Sequence, residues 1–433
     1  MYESIDRLLA GPPSGASEGE LVDWIAGLEE VKCTAEAVQA EAAVRLDAAV
    51  RARQVEAGVP ARKLGEGVAS QVALARRVSP EKGAKLLGLA KVLINEMPHT
   101  FALMKAGQFS QWQATILSRE TACLSLDDRK VIDHELCATG PDGQPAKAVS
   151  MGLRQLESAA KKLAITLDQA SVVARAANAA KDRRVSLRPA PDTMTWLGAL
   201  LPVKDGVAVF AALDQAAKVA HAAGDERTRG QVMADTLVDR VTGRSTTDAK
   251  PRIEVKIVMT ADSLTSDADR PAIVEGYGPV PATWAREALN DAEVFVRRLF
   301  TDPAGRLVAM ESRSRKAPDG LAEFITTRDG GICRTNGCDA PIRNIDHVER
   351  HADGGETRTE NLQGLCERCN QAKEALGWQA RPGPDGSIIT TTPTGHTYIS
   401  PPPETWAPDP PPLRLSPAER RLRGVLLDHT LAA

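Results

Sequence analysis

Near its C-terminal end the chain carries two cysteine pairs, Cys333 and Cys338 spaced C-x4-C, and Cys366 and Cys369 spaced C-x2-C. Each pair can close a tight loop around one tetrahedral zinc ion through sulfur. A segment of about sixty residues buries too little apolar surface to be secure alone, so a metal staple is physically expected. Such a zinc supplies on the order of 10 kcal/mol of coupled binding and folding free energy. Between and just behind the pairs lie Asp346, His347, Asn361 and Asn370, which the zinc does not need. Soft thiolates set apart from hard oxygen donors and a lone imidazole point to two metals with two tasks, a structural zinc and a catalytic magnesium-like ion. The chemistry that fits is phosphodiester hydrolysis.

Read together, CRTNGCDAPIRNIDHVERHADGGETRTENLQGLCERC and the NQAK that follows resemble an HNH nuclease module of the zinc-knuckle kind, over roughly residues 328–378. His347, Asn361 and Asn370 match the H, N and final position of that pattern, with asparagine where many members carry histidine. The resemblance implies that neutral His347 is the general base and that Asp346 and Asn370 give oxygen ligands to Mg2+ or Mn2+. Asn361 then orients the loop or the His347 ring, and the products carry 5'-phosphate and 3'-hydroxyl ends. A neutral imidazole base implies activity that falls on acidification through roughly pH 6.5. Oxygen from Asn370 suits Mg2+ better than a second imidazole would. Asp-His also occurs at Asp133-His134 and Asp428-His429; those copies lack metal partners in sequence and read as surface residues on helices.

Net charge is -3, so nothing global marks a nucleic-acid binder. Residues 312–381 hold eleven Lys or Arg against eleven Asp or Glu, so any DNA-binding face depends on how those charges are arranged. Arg343, Arg350, His351, Arg358, Arg368 and Lys373 are the candidate contacts to a DNA backbone. No run approaches the ~18 apolar residues of a membrane span, and MYESIDRLLAGPP lacks the features of a secretory signal. The expected location is the cytoplasm. Cys33, Cys123 and Cys137 are scattered through helical sequence and read as small buried apolar residues.

The fold class expected is mainly α with an α+β middle region, ending in a zinc-stapled ββα-metal module. Residues 1–17 read as a flexible N-terminus and 18–188 as a helical domain. Leu21, Trp24, Leu28, Val31, Ala35, Val38 and Ala42 form one apolar stripe at helical spacing. Ser79-Pro80, Ser110 with Gln113, and Ser125 with Asp128 are helix starts. After Arg188-Pro189-Ala190-Pro191, residues 189–317 read as an α+β continuation. It has strands at 193–201 and 252–259, helices at 207–221 and 226–241, and a hairpin formed by 294–300 and 307–310. Residues 18–317 resemble, more diffusely, the helical domain of unknown function often found ahead of HNH modules; the stretches carrying this are LLGLAKVLINEMPHTFALMKAGQFSQWQATIL, WLGALLPVKDGVAVFAALDQAA and GDERTRGQVMADTLVDRV.

Residues 318–380 are the module, with a helix from near Cys369 through Leu376. Residues 381–433 read as a hairpin, a proline-rich linker and a short helix starting at Ser416-Pro417. The function expected is a metal-dependent endonuclease acting on double-stranded DNA; the alternative is a zinc-knuckle nucleic-acid-binding protein without cleavage. One geometric difficulty stands out. Neighbouring residues on a regular strand point to opposite faces, so Asp346 and His347 can serve one ion only if the strand bends or ends there.

Overall fold

Serine hydroxyls start the helices where the sequence places them. In the computed structural model, which describes residues 10–140, 143–243, 257–259, 263–264, 270–274, 277–290, 317 and 319–402, the first element is the long helix α1 (Glu18–Glu56), opened by a Ser17–Glu20 capping box. α2 (Val68–Arg76) follows, then α3 (Pro80–Glu96), where Ser79 accepts from Lys82 N and Pro80 occupies the first turn. α4 (Pro98–Lys105), α5 (Gln111–Glu120), α6 (Leu126–Cys137), α7 (Leu153–Leu167) and α8 (Gln169–Ala179) complete the bundle. The capping box of Ser110 with Gln113 and the cap of Ser125 on Asp128 N are both present.

The bundle core is built from Leu93, Met97, Met104, Phe109, Leu117, Ile132 and Leu156, all fully buried. The face that α1 turns inward is not the stripe read from its large residues. Cys33, Ala37, Ala40 and Val50 are buried, while Leu21, Leu28 and Val38 are exposed. Small residues let α3 and α4 approach closely, so here volume decides the face rather than hydrophobicity alone. A second correction concerns Asp133, which is completely buried. Met97, at the N-cap of α4, offers no side-chain bond; the Asp133 carboxylate replaces it, accepting from His99 N at 2.8 Å, Thr100 N at 2.9 Å and Thr100 Oγ1 at 2.6 Å. Cys33 and Cys137 are buried and Cys123 half-buried, and burial pushes the Cys137 thiol up to about 12.

The middle region begins with an antiparallel pair, β1 (Arg184–Ala190) and β2 (Met194–Leu200), so a strand extends through the proline-bearing stretch expected to break the pattern. The helices α9 (Val203–Ala222) and α10 (Arg229–Thr242) pack against each other. A small sheet follows, of β3 (Ile257–Val258), β4 (Ala272–Val274) and β5 (Gly278–Val280), then α11 (Ala282–Asn290). The hairpin expected at 294–310, residues 252–256 of the expected strand, and the linker and final helix beyond 402 lie outside the described residues.

The C-terminal module starts at α12 (Asp319–Arg328), continues through the antiparallel pair β6 (Asn344–His347) and β7 (Leu362–Leu365), and reaches α13 (Glu367–Lys373). Behind it β8 (Gln379–Pro382), β9 (Ile388–Thr391) and β10 (Thr397–Ser400) form a three-stranded meander where a hairpin was expected. The module sits on the bundle. Leu74 of α2 packs with Ala375, Trp378 and Tyr398, Arg368 pairs with Glu81 of α3 at 2.7 Å, and Thr394 Oγ1 bonds Gln71 Oε1 at 3.3 Å. Gly67 is required at this seam: its φ is +85°, and a Cβ there would lie 2.5 Å from Trp378 Nε1.

Candidate active site and metal centre

The four cysteines converge. Their sulfurs lie within 4.8 Å of one another and all four residues are buried. With zinc–sulfur bonds of about 2.3 Å, a tetrahedral site has sulfur–sulfur edges of about 3.8 Å. The Cys338–Cys366 separation is 3.8 Å, the edge such a site requires. Its electrostatics agree. Contacts among the thiols, that from Cys338 foremost, hold Cys333 down at about 7, while the same contacts, led by Cys333, push Cys338 and Cys369 up. Four sulfurs cannot share this space as anions without a cation between them. Cys366 also caps α13, accepting from Cys369 N at 3.4 Å. The helix therefore begins at Glu367 and ends at Lys373, two residues earlier at its start than the sequence reading put it.

β6 ends at His347, and Asp346 and His347 pair in regular register with Gln363 and Leu362. The strand ends only after His347, so both residues lie within its regular pairing and, as strand alternation dictates, the two side chains engage different elements. Asp346 Oδ2 accepts from Lys373 Nζ of α13, which also donates to His347 O. The buried His347 ring is held from the loop, with Nε2 2.8 Å from Thr357 Oγ1. His351 lies beside it, ring centroids 5.5 Å apart at 68°.

Asn361 organises that loop. Its Oδ1 accepts from Glu349 N at 2.8 Å, and its Nδ2 donates to Glu349 O at 3.1 Å and Glu356 O at 2.9 Å. These bonds all go to the loop backbone. Gly355 passes so close to Glu349 O and Asn361 Nδ2 that a Cβ would collide with both. Asn370, one turn before Lys373, has an Oδ1 that is buried and accepts no hydrogen bond among the described residues. A buried acceptor without a donor is costly unless a cation or other partner satisfies it.

The candidate DNA contacts divide. Arg343 and His351 are exposed. Arg358 pairs with Glu356 at 3.2 Å and Arg368 with Glu81, both at the surface. Arg350 is half-buried, donating to Lys373 O at 2.7 Å and pairing with Glu374 at 3.4 Å. Lys373, expected at the surface, is buried; α13 is so close to β6 that the carboxylate of Asp346 draws the ammonium inward.

Two features escaped the sequence reading. Thr357 offered no signal, since a loop threonine looks like any other. The second is a buried ionic knot beneath β7. Arg328 donates to Asp329 Oδ1 at 2.8 Å, Thr359 O at 2.6 Å and Leu362 O at 2.8 Å. Asp329 also accepts from Gly364 N at 2.8 Å and Arg334 at 3.2 Å. It ties α12, the knuckle and β7 together.

With this geometry established, sequence comparison decides the family. The model of the domain of unknown function DUF222 matches residues 27–329, and that of the HNH endonuclease matches residues 331–376. The chain belongs to the DUF222 family and carries an HNH endonuclease domain. The HNH match ends within three residues of Lys373 and spans all four cysteines, Asp346, His347, Asn361 and Asn370. Among relatives of this DUF222–HNH protein, uncharacterized protein Rv3776 of Mycobacterium tuberculosis is 28% identical over 438 residues, 84% of this chain and 79% of that one. Uncharacterized protein Rv2100 of the same organism is 33% identical over 144 residues, 33% of this chain and 25% of its own. No solved structure matches the chain. The HNH domain supports a nuclease-type function in general. Among the described residues no helix is long and apolar enough to cross a membrane.

Proposed function

We propose that the HNH domain hydrolyses phosphodiester bonds of double-stranded DNA with Mg2+ or Mn2+, on a scaffold fixed by zinc bound to Cys333, Cys338, Cys366 and Cys369. The observation that carries this reading is the buried oxygen of Asn370, which has no hydrogen-bond donor among the described residues and lies one turn before the lysine that bonds Asp346. Asp346 and Asn370 are hard donors and suit an oxygen-seeking divalent ion. When bound, that ion stabilises charge on the transition state and on the leaving oxygen.

His347, as neutral imidazole, takes the proton from the attacking water. In this reading Nε2 carries the ring proton and donates to Thr357, and Nδ1 is the base. Asn361 keeps the intervening loop in place, so its effect reaches the reaction through the position of His347. Arg343, exposed ahead of β6, and Arg358, exposed on the loop, serve the DNA backbone. Reduced thiols at the zinc fit a cytoplasmic location.

The test is nicking of supercoiled plasmid after removal of loosely held metal, with Mg2+ or Mn2+ added back. Cleavage that returns with either ion supports the reading. A protein that binds the plasmid yet leaves it intact in both ions is a zinc-knuckle DNA-binding protein instead.

A further inference from the structure

Lys373 sits where a buried amine must have a reason. Its side chain is 9% exposed, and its ammonium bonds the Asp346 carboxylate and the main-chain oxygen of His347. An ammonium has three hydrogens to place and pays heavily for burial without acceptors. One carboxylate oxygen and one carbonyl oxygen are also the donors a hard divalent cation selects. A divalent ion arriving at Asp346 meets a carboxylate whose Oδ2 already holds an ammonium, and the two cations repel each other. A second acceptor is within reach: Glu374 Oε1 lies 3.8 Å from the same Nζ, and its side chain is 55% exposed. Arg350 steadies both ends, donating to Lys373 O at 2.7 Å and facing Glu374 Oε1 at 3.4 Å.

We propose that Lys373 is the site's resident counter-ion: it holds Asp346 until a divalent ion takes that carboxylate, and its ammonium then passes to Glu374. Lys373 is thus a positioning residue that sets the ion concentration at which the nuclease becomes loaded. The inference rests on the reading that Asp346 is an ion ligand. It adds a competition built into the chain, with Asp346 and Glu374 as its two stations.

Calorimetric titration of the zinc-loaded full chain with Mn2+ reads this competition directly. Lys373→Met should bind Mn2+ about tenfold more tightly than wild type, a shift of about 1.4 kcal/mol, and Glu374→Gln should bind it more weakly. Zinc content and the melting curve check that each variant is folded. Should Lys373→Met not fold, the wild type still decides: with 13C-labelled lysine, the Lys373 signal, identified by its loss in Lys373→Arg, should move as Mg2+ binds. Unchanged or weaker Mn2+ affinity in a folded Lys373→Met, or a Lys373 signal that stays still while Mg2+ binds, overturns the proposal and leaves the nuclease reading standing. No ion bound by wild type or variants removes the ion assignment itself, and this inference with it.

Discussion

In the bundle, Leu93, Met97, Phe109 and Ile132 close the interior with large apolar side chains, whereas in the HNH domain four cysteines and a knot of charge occupy the corresponding space. The bundle can lose a methylene and relax. The domain depends on a few partners that cannot be replaced singly, because each leaves a buried thiolate or guanidinium behind. A small domain that must keep donors for substrate pointing into a site has little apolar volume to spend on its own core. It leans on metal, on ionic bonds and on the bundle beneath it.

The sharpest way to separate the two regions is Cys366→Ser, which removes a zinc ligand and the cap of α13 at once. Loss on the order of 10 kcal/mol of coupled binding free energy unfolds the domain. Metal analysis should fall from one zinc per chain to none while the far-ultraviolet helical signal of the bundle persists. Retained zinc would mean the cluster is not the metal centre.

Next in size is Asp329→Ala. It strands Arg328 and Arg334, and breaking a buried ion pair from one side costs about 3–5 kcal/mol. Proteolysis should then open the chain in the domain first, with the bundle intact; equal resistance to wild type would show the knot to be dispensable. Leu93→Ala inverts the pattern. It should cost about 2–5 kcal/mol through a cavity in the bundle, lowering the bundle's melting temperature with zinc still bound. Arg368→Ala probes the seam and should shift stability by at most about 1 kcal/mol, since its pairing with Glu81 is exposed on both sides.

What the sequence made legible follows the range of the interaction. Caps at Ser79, Ser110 and Ser125 involve residues three apart, and all three are present. Cysteine spacing is local too, and the pairs meet. The buried face of α1 was misread because α3 and α4, distant in sequence, select Ala37 and Ala40 over larger neighbours. Asp133 was misread for the same reason: its partners are 33 and 34 residues away. At the site, the residue types were visible and their partners were not. The bond from Lys373 to Asp346 spans 27 residues, and that from His347 to Thr357 crosses a loop whose path the sequence does not specify.

Everything proposed for the site requires the zinc-held scaffold to present His347 as a base. Supercoiled plasmid cleavage in Mn2+, compared between wild type and His347→Ala at one zinc per chain in each, measures it. A loss of about a hundredfold or more, the usual contribution of a general base, is the predicted result. Equal rates at equal zinc content would contradict it.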